Sequence, residues 1–228
     1  MSDVSAGVPE QASPTLRRLV GDEVWSDLLE QSYPRRHSVG DTLLRQGDPG
    51  THVLALCAGV VKVTRREQSG DLALLAFRGP GELLGEVAVL DDDVRSASIE
   101  AISHCSVAVL SKKDFLRFVT ERDLFPVLVR YALARLRESD RARGGGDPAA
   151  RLAASLVSLA DISGRSATAP GQRLELALTR EELAQHLRVS RNTVTACLSE
   201  LDHVRTGRMR VFIDDLPALR RAAVKLDG

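Results

Sequence analysis

Two residues in one short stretch could hold a charged sugar phosphate. The chain reads Gly81-Glu82-Leu83-Leu84-Gly85-Glu86-Val87-Ala88-Val89-Leu90 and, after three aspartates and Val94, Arg95-Ser96-Ala97. A carboxylate such as Glu86 accepts hydrogen bonds from ribose hydroxyls. The guanidinium of Arg95 can fork onto a phosphate, with backbone N–H groups and the Ser96 hydroxyl completing an anion cradle. The grouping has no metal-ligand set and no activated nucleophile, so it reads as a site that holds a cyclic nucleotide without breaking it. The plainer alternative is a solvent-facing turn carboxylate and an arginine that neutralises Asp91, Asp92 and Asp93. The company of Gly81, Gly85, Ser96 and Ala97 favours the ligand site.

About ninety residues later a second block runs from Thr179 to Val194. Two short amphipathic helical patterns meet there at a tight turn, as in a helix-turn-helix. The pair of blocks suggests a small-molecule switch wired to DNA.

The elements that would position these residues follow from patterning. Residues 1–14 are rich in Ser, Ala, Gly and Pro and read as a loose tail. Leu16 to Leu29, broken by Gly21, reads as one or two short helices. From Arg36 to Leu110, short apolar runs alternate with turn signals at roughly ten-residue spacing, which predicts an all-β jelly roll over 15–110. Ser111 to Arg143 reads as helix, capped by Ser111, with Phe125, Leu128, Ala132, Leu136 and Ser139 as a stripe suited to pairing with a second copy. That sets a dimerisation helix at 111–143 and a hinge at 144–147, where Gly144-Gly145-Gly146 breaks the helix. Asp147-Pro148 restarts a helix and opens a second domain over 148–228. Leu174, Leu176 and Leu178 alternate as in a strand. Thr179 with Glu182 forms a capping box, and Arg205 to Ile213 reads as a hairpin turning at Thr206-Gly207, giving a winged helix-turn-helix. The predicted class is α+β.

Bulk composition narrows the choices. The 228 residues, 43% hydrophobic, suffice for two modest domains. Lys+Arg and Asp+Glu both number 31, which argues against a protein that coats DNA uniformly. Residues 148–228 carry 12 basic and 9 acidic side chains, so the excess of +3 lies in the part expected to meet phosphates. No apolar run approaches membrane-spanning length and no signal-peptide pattern opens the chain, so a cytoplasmic protein is expected, with no membrane partner. Cys57, Cys105 and Cys197 are widely spaced, which signals neither disulfides nor a thiolate metal site. Cys57 and Cys105 read as buried apolar residues. None of the five histidines is paired at metal-ligand spacing, and no catalytic triad or phosphate-binding GxxxxGK[ST] loop occurs, so neither an enzyme nor a metal or other cofactor is expected.

In combination the two blocks resemble the Crp/Fnr family of bacterial transcription regulators, from Leu16 to the C-terminus. The resemblance implies a homodimer on double-stranded operator DNA, with cyclic AMP or cyclic GMP as allosteric effector and RNA polymerase as a further partner. It places Leu84, Gly85, Glu86, Val87, Ala88, Arg95, Ser96 and Ala97 around the ligand. Glu86 would meet the ribose 2′-hydroxyl, and Arg95 and Ser96 the cyclic phosphate. Arg135, Ser139 and Asp140 would lie near the base and the partner subunit. Cyclic-AMP-binding members have two hydroxyl residues at the last two of these positions, so Asp140 leaves the base open. The implied DNA-contact residues are Thr179, Ser190, Arg191, Asn192, Thr193, Thr195, Ala196, Arg208 and Arg210. Arg191 matches a family arginine able to fork onto guanine. Asn192 replaces a frequent glutamate and Ala196 a second base-reading arginine, so a different operator is expected. Arg188 stands where the turn often has glycine. Two alternatives remain: a regulator of this type that ignores nucleotides or answers to another effector, and, more remotely, a jelly-roll enzyme or nucleotide-sequestering protein.

Overall fold

Strands form where an apolar run finds a partner on both sides, and the computed structural model supplies those partners. It describes residues 14–68, 70–141, 147–162 and 173–226. Two short helices come first, α1 (Leu16–Val20) and α2 (Asp22–Glu30), separated by Gly21 at φ +86°. The strands that follow are β1 (Tyr33–His37), β2 (Thr42–Leu44), β3 (His52–Ala58), β4 (Val61–Arg66), β5 (Leu72–Arg78), β6 (Leu83–Leu84), β7 (Ser98–Ala101) and β8 (Cys105–Ser111). A one-turn helix, α3 (Glu86–Leu90), stands between β6 and β7. They form two antiparallel sheets, ordered β1-β8-β3-β6 and β2-β7-β4-β5.

The core of this jelly roll lies between the sheets, where Leu44, Leu54, Leu56, Val61, Leu84, Ile99, Val107 and Val109 meet. The alternate residues of β3 and β8 (Val53, Ala55, Ala108, Leu110) are buried on the outer face by α1, α2 and the helices that follow. Burial on both faces explains why these strands read as continuous apolar runs. Cys57 departs from expectation: it is exposed, while Cys105 is buried. Cys57 lies on the odd-numbered, outer face of β3 with Val53 and Ala55, at the end of the strand where the β3/β8 register shifts between Leu56 and Ala58.

The single helix expected over Ser111–Arg143 is two helices, α4 (Lys112–Glu121) and α5 (Phe125–Arg141). Ser111 does cap α4, accepting from the Asp114 N–H. Asp123, at φ +48°, ends the first helix, as left-handed residues do. The break lets Phe115, Phe118 and Val119 face the sheet before the chain leaves at a new angle. Of the expected stripe, Phe125, Ala132 and Leu136 are exposed on α5. Leu128 is buried against its own domain, whereas Phe125, Val129, Leu133 and Leu136 are exposed along α5.

The second domain contains α6 (Pro148–Ile162), β9 (Leu174–Leu176), α7 (Arg180–Leu187), α8 (Arg191–Ser199), β10 (Val204–Thr206), β11 (Val211–Ile213) and α9 (Leu216–Leu226). The Asp147 carboxylate caps α6 through the Ala150 N–H at 2.9 Å. Its three strands pair as β10-β11-β9, and the hairpin closes over Gly207–Arg210. Leu152, Leu156, Leu183, Val194, Leu198 and Leu219 form the core. Together these elements make a winged helix-turn-helix. The expected Gly144–Gly146 hinge and the tail up to Ser13 lie outside the described residues. Among the described residues no helix is long and apolar enough to cross a membrane.

Candidate functional site

The nucleotide cassette is built where β6 ends in α3. Gly85 holds φ +81° there, and a Cβ on it would stand 2.5 Å from Arg95 Nη1 and 2.7 Å from Leu44 Cδ1. A glycine is therefore required on both conformational and steric grounds. Arg95 is 3% exposed. Its Nη1 donates to the Gly85 carbonyl and its Nη2 to the His52 carbonyl, both at 2.5 Å. Burial lowers the Arg95 pKa, and the carboxylates of Glu86 and Asp48 oppose that effect. The side chain is thus clamped against two backbone segments, β3 and the start of α3, instead of reaching into solvent.

Glu86 opens α3. Its side chain is half-buried and has no side-chain hydrogen-bond partner among the described residues. Burial pushes its pKa up to about 7; its own backbone N–H and the charges of Arg78 and Arg135 lower it, while Glu82 raises it. The carboxyl is therefore enclosed and uncommitted, and able to accept a hydroxyl donor. Ser96 is exposed and Ala97 half-buried beside Arg95. Val87 is exposed, whereas Ala88 and Leu84 are buried, Leu84 within the core between the sheets.

Arg135 has partners that sequence reasoning missed. Its Nη2 binds the Glu82 carboxylate and lies 3.3 Å from the Pro14 carbonyl, and its Nη1 is 2.8 Å from Glu138. The Tyr131 hydroxyl donates to the same Glu82 oxygen at 2.5 Å and to the Leu83 carbonyl at 3.2 Å. Glu138 in turn accepts from Arg78 at 2.9 Å. This network ties β5 and β6 to α5. Glu82 stands inside the quoted motif, but its partners come from a helix some fifty residues later, and no spacing rule links the two. Ser139 and Asp140 lie on α5, and their side chains are outside the described residues.

In the second domain the caps are local and follow the sequence closely. Thr179 accepts from the Glu182 N–H, and the Glu182 carboxylate accepts from the Thr179 N–H at 2.8 Å, completing the capping box. Arg188 takes the left-handed turn position at φ +54°. Ser190 caps α8 through the Thr193 N–H at 3.0 Å, and the two hydroxyls lie 2.8 Å apart. Arg191, Asn192, Thr195 and Ala196 are exposed on α8, with the Thr195 hydroxyl bonded to the Arg191 carbonyl at 3.0 Å. Arg208 is exposed on the hairpin, while Arg210 pairs with Glu175. Asp214 accepts from Arg205 and Arg173, which hold its pKa down to about 2.

The first helix of the helix-turn-helix is also an interdomain element. α7 packs on β5, where His186 and Phe77 rings meet edge to face at 4.8 Å between centroids. Gln185 accepts from the Leu74 N–H at 3.0 Å. Lys62, on β4, reaches Glu182 and lies 3.1 Å from Glu100. Burial works against the Lys62 charge, but the two carboxylates hold its pKa above the ordinary value. Burial pushes the His186 pKa down to about 4, with Glu138 opposing and Arg151 assisting. Val60, Leu74, Phe77 and Ile102 of the jelly roll share one apolar cluster with the second domain.

Comparison with known proteins covers both halves. The family model for the cyclic nucleotide-binding domain matches residues 34–122, and that for the Crp-like helix-turn-helix domain matches residues 150–222. A CRP-like cAMP-activated global transcriptional regulator of Mycobacterium tuberculosis is 29% identical over 86% of this chain and 90% of its own. The cyclic AMP receptor protein of Thermus thermophilus is 34% identical over 57% of this chain and 60% of its own. A solved CRP/FNR-family transcriptional regulator of Thermus thermophilus superposes with a TM-score of 0.58 at 22% identity, over 86% of this chain and all of that one, a likeness of fold.

Proposed function

This chain belongs to the Crp/Fnr family of transcription regulators, with a cyclic nucleotide-binding domain and a DNA-binding helix-turn-helix, and we propose that it works as a homodimer whose hold on operator DNA is set by cyclic AMP. The observation that carries this reading is the cassette in which Gly85 lets a buried Arg95 close on the backbone while Glu86 is left without a side-chain partner. A cyclic phosphate brings one negative charge and two exocyclic oxygens to Arg95. Ser96 adds a hydroxyl, and Glu86 accepts from the ribose 2′-hydroxyl. Nothing in this arrangement activates water, so the ligand is held and not turned over. Preference for cyclic AMP over cyclic GMP rests on the two cAMP-named relatives. Ser139 and Asp140 of α5 would face the base, with Arg135 behind the cassette.

The DNA half of the reading assigns Arg191, Asn192 and Ala196 to base edges of the major groove. Thr179, Ser190, Thr193 and Thr195, with Arg208 of the wing, are assigned to the sugar-phosphate backbone. Arg210 shares its charge with Glu175 and contributes less. The homodimer rests on Phe125, Val129, Leu133 and Leu136, spaced at four and three residues on α5 and exposed in the single chain. A two-fold pair of such helices buries this stripe and presents two recognition helices to successive grooves.

Isothermal titration with cyclic AMP and cyclic GMP tests the ligand assignment. Arg95→Gln keeps a donor for one of the two carbonyls but removes the charge. Loss of a charge-assisted bond to phosphate should weaken cyclic AMP binding at least about tenfold. Equal affinity in parent and folded variant would defeat the phosphate contact.

A further inference from the structure

We propose that Lys62 is a positioning residue for operator recognition: by gripping Glu182 from the jelly roll it fixes the bearing of the reading helix α8, and so sets the half-site spacing that the dimer accepts. The inference rests on the homodimer reading and adds to it a residue of the jelly roll, away from the assigned DNA contacts.

Val61 and Val63 of β4 pack into the core between the sheets, and Lys62 lies on the opposite face of the strand. Strand register sets Glu100 of β7, Lys62 and Phe77 of β5 in one row across that face. α7 lays a matching row on it, Glu182 against Lys62 and His186 against Phe77, one helical turn apart. Beside this row the Leu74 N–H donates to Gln185 at 3.0 Å, and the Ala177 N–H, just ahead of α7, donates to the Ile102 carbonyl at 2.9 Å. Lys62 is 9% exposed and Glu182 7%, so solvent hardly screens their attraction. The apolar contacts of Val60, Leu74, Phe77 and Ile102 supply adhesion, which is non-directional. The charged and hydrogen-bonded groups meet their partners in one register only, and sliding α7 by a turn would leave them buried and unpaired. Glu182 has a second task. One oxygen takes Lys62, while the other accepts from the Thr179 N–H at 2.8 Å and from the Thr179 hydroxyl at 3.0 Å. The sheet thereby holds the residue that closes the cap of α7. α8 follows α7, because Leu183, Leu187, Val194 and Leu198 share one core. α5 is fixed to the same jelly roll through Leu128, Tyr131 and the Arg78–Glu138 pair. The junction is therefore the non-covalent path that sets α8 relative to the proposed dimer seam. It leaves Arg191, Asn192, Thr195 and Ala196 exposed, so docking holds the reading face without covering it. A domain free to swing would engage its second half-site at lower effective concentration and over a wider range of spacings.

The test compares three labelled DNAs on the full-length protein, with saturating cyclic AMP and fixed salt, while circular dichroism confirms the fold of each variant. The DNAs are an operator selected with the protein itself, the same operator with two base pairs added between its half-sites, and a single half-site. The addition turns one half-site by about 70° around the duplex. The parent should bind the lengthened operator at least about thirtyfold more weakly than the original. The main variant is Lys62→Met with Glu182→Gln, because glutamine still closes the capping box and no carboxylate of α7 is left without its cation. It should bind the original operator about tenfold more weakly than the parent, and the lengthened one within about threefold of that. The single half-site should be bound as the parent binds it. Parent-like discrimination of spacing in this variant overturns the proposal. So does an equal loss on the single half-site, which would trace the effect to damage in the reading motif. Gln185→Ala removes a second clasp of the junction without touching the capping box, and should relax discrimination in the same direction. Were the double variant unfolded, parent-like discrimination in Gln185→Ala would overturn the proposal in its place. Sedimentation of the parent separates the two readings. A monomeric parent overturns the homodimer reading and this inference with it. A dimeric parent whose spacing preference survives in the variants overturns the role of Lys62 only.

Discussion

Glu86 is desolvated and has no side-chain hydrogen-bond partner among the described residues, and that combination has a thermodynamic consequence. Its pKa in the folded chain is about 7, above the ordinary 4.5, so the folded state binds more protons than the unfolded one between those values. Stability therefore falls as pH rises from about 4.5 to about 7, because the ionised carboxylate is the form the fold disfavours. Glu86→Gln removes that penalty. The variant should melt higher than the parent above pH 7, and the difference should vanish below pH 4.5, while its cyclic AMP affinity drops at least about tenfold. Melting curves across this range check the sign; a Glu86→Gln variant less stable at pH 8 than at pH 5, relative to the parent, contradicts it. Gly85, Glu86 and Arg95 were legible in the sequence because glycine, carboxylate and guanidinium fall within eleven residues. Glu82 stood in the same motif but could not be assigned a partner, since Tyr131 and Arg135 reach it only after α5 has folded across β6. Arg95 was expected to pair with a cyclic phosphate; its two carbonyl contacts could not be read from sequence, because the His52 carbonyl comes from a different strand.

At the level of elements, caps and turns were read well because their chemistry is local. The Thr179–Glu182 box, the Ser190 cap and the left-handed Arg188 are each decided within four residues. The central helix was read less well. Its interruption at Asp123 comes from the demand that Phe115, Phe118 and Val119 cover the sheet, which is a tertiary requirement that helical periodicity does not report. Of the expected stripe Phe125, Ala132 and Leu136 are exposed and Leu128 is buried, while Val129 and Leu133 join the exposed face. The consequence can be checked by sedimentation: Leu133→Glu should convert a dimer into monomers at micromolar concentration, because two carboxylates would face one another across a dry seam. Leu128→Ala, by contrast, should lower stability by about 2 to 5 kcal/mol through an internal cavity and leave association intact. A monomeric parent, or a dimeric Leu133→Glu, removes α5 from the interface.

For the whole molecule, the two domains are joined by more than a linker. Lys62, Glu182 and Glu100 form a buried charged junction between β4, α7 and β7, flanked by the Phe77–His186 and Leu74–Gln185 contacts. Lys62→Met leaves two carboxylates without their cation and should cost about 3 kcal/mol or more. Calorimetry should show one cooperative transition in the parent and an earlier, separate melting of the helix-turn-helix domain in the variant. An unchanged single transition would mean that the junction does not couple the domains. The same α7 face that meets the jelly roll belongs to the motif that must approach DNA, so a ligand that alters the cassette and α5 has a physical route to the reading helices.

The most direct measurement of the central claim is fluorescence anisotropy of a labelled operator fragment, selected with the protein itself, titrated with and without saturating cyclic AMP at fixed salt. At least about a tenfold gain in affinity is expected with the nucleotide, a coupling of roughly 1.4 kcal/mol, and no gain in Arg95→Gln. Superimposable curves with and without cyclic AMP for the parent would contradict it.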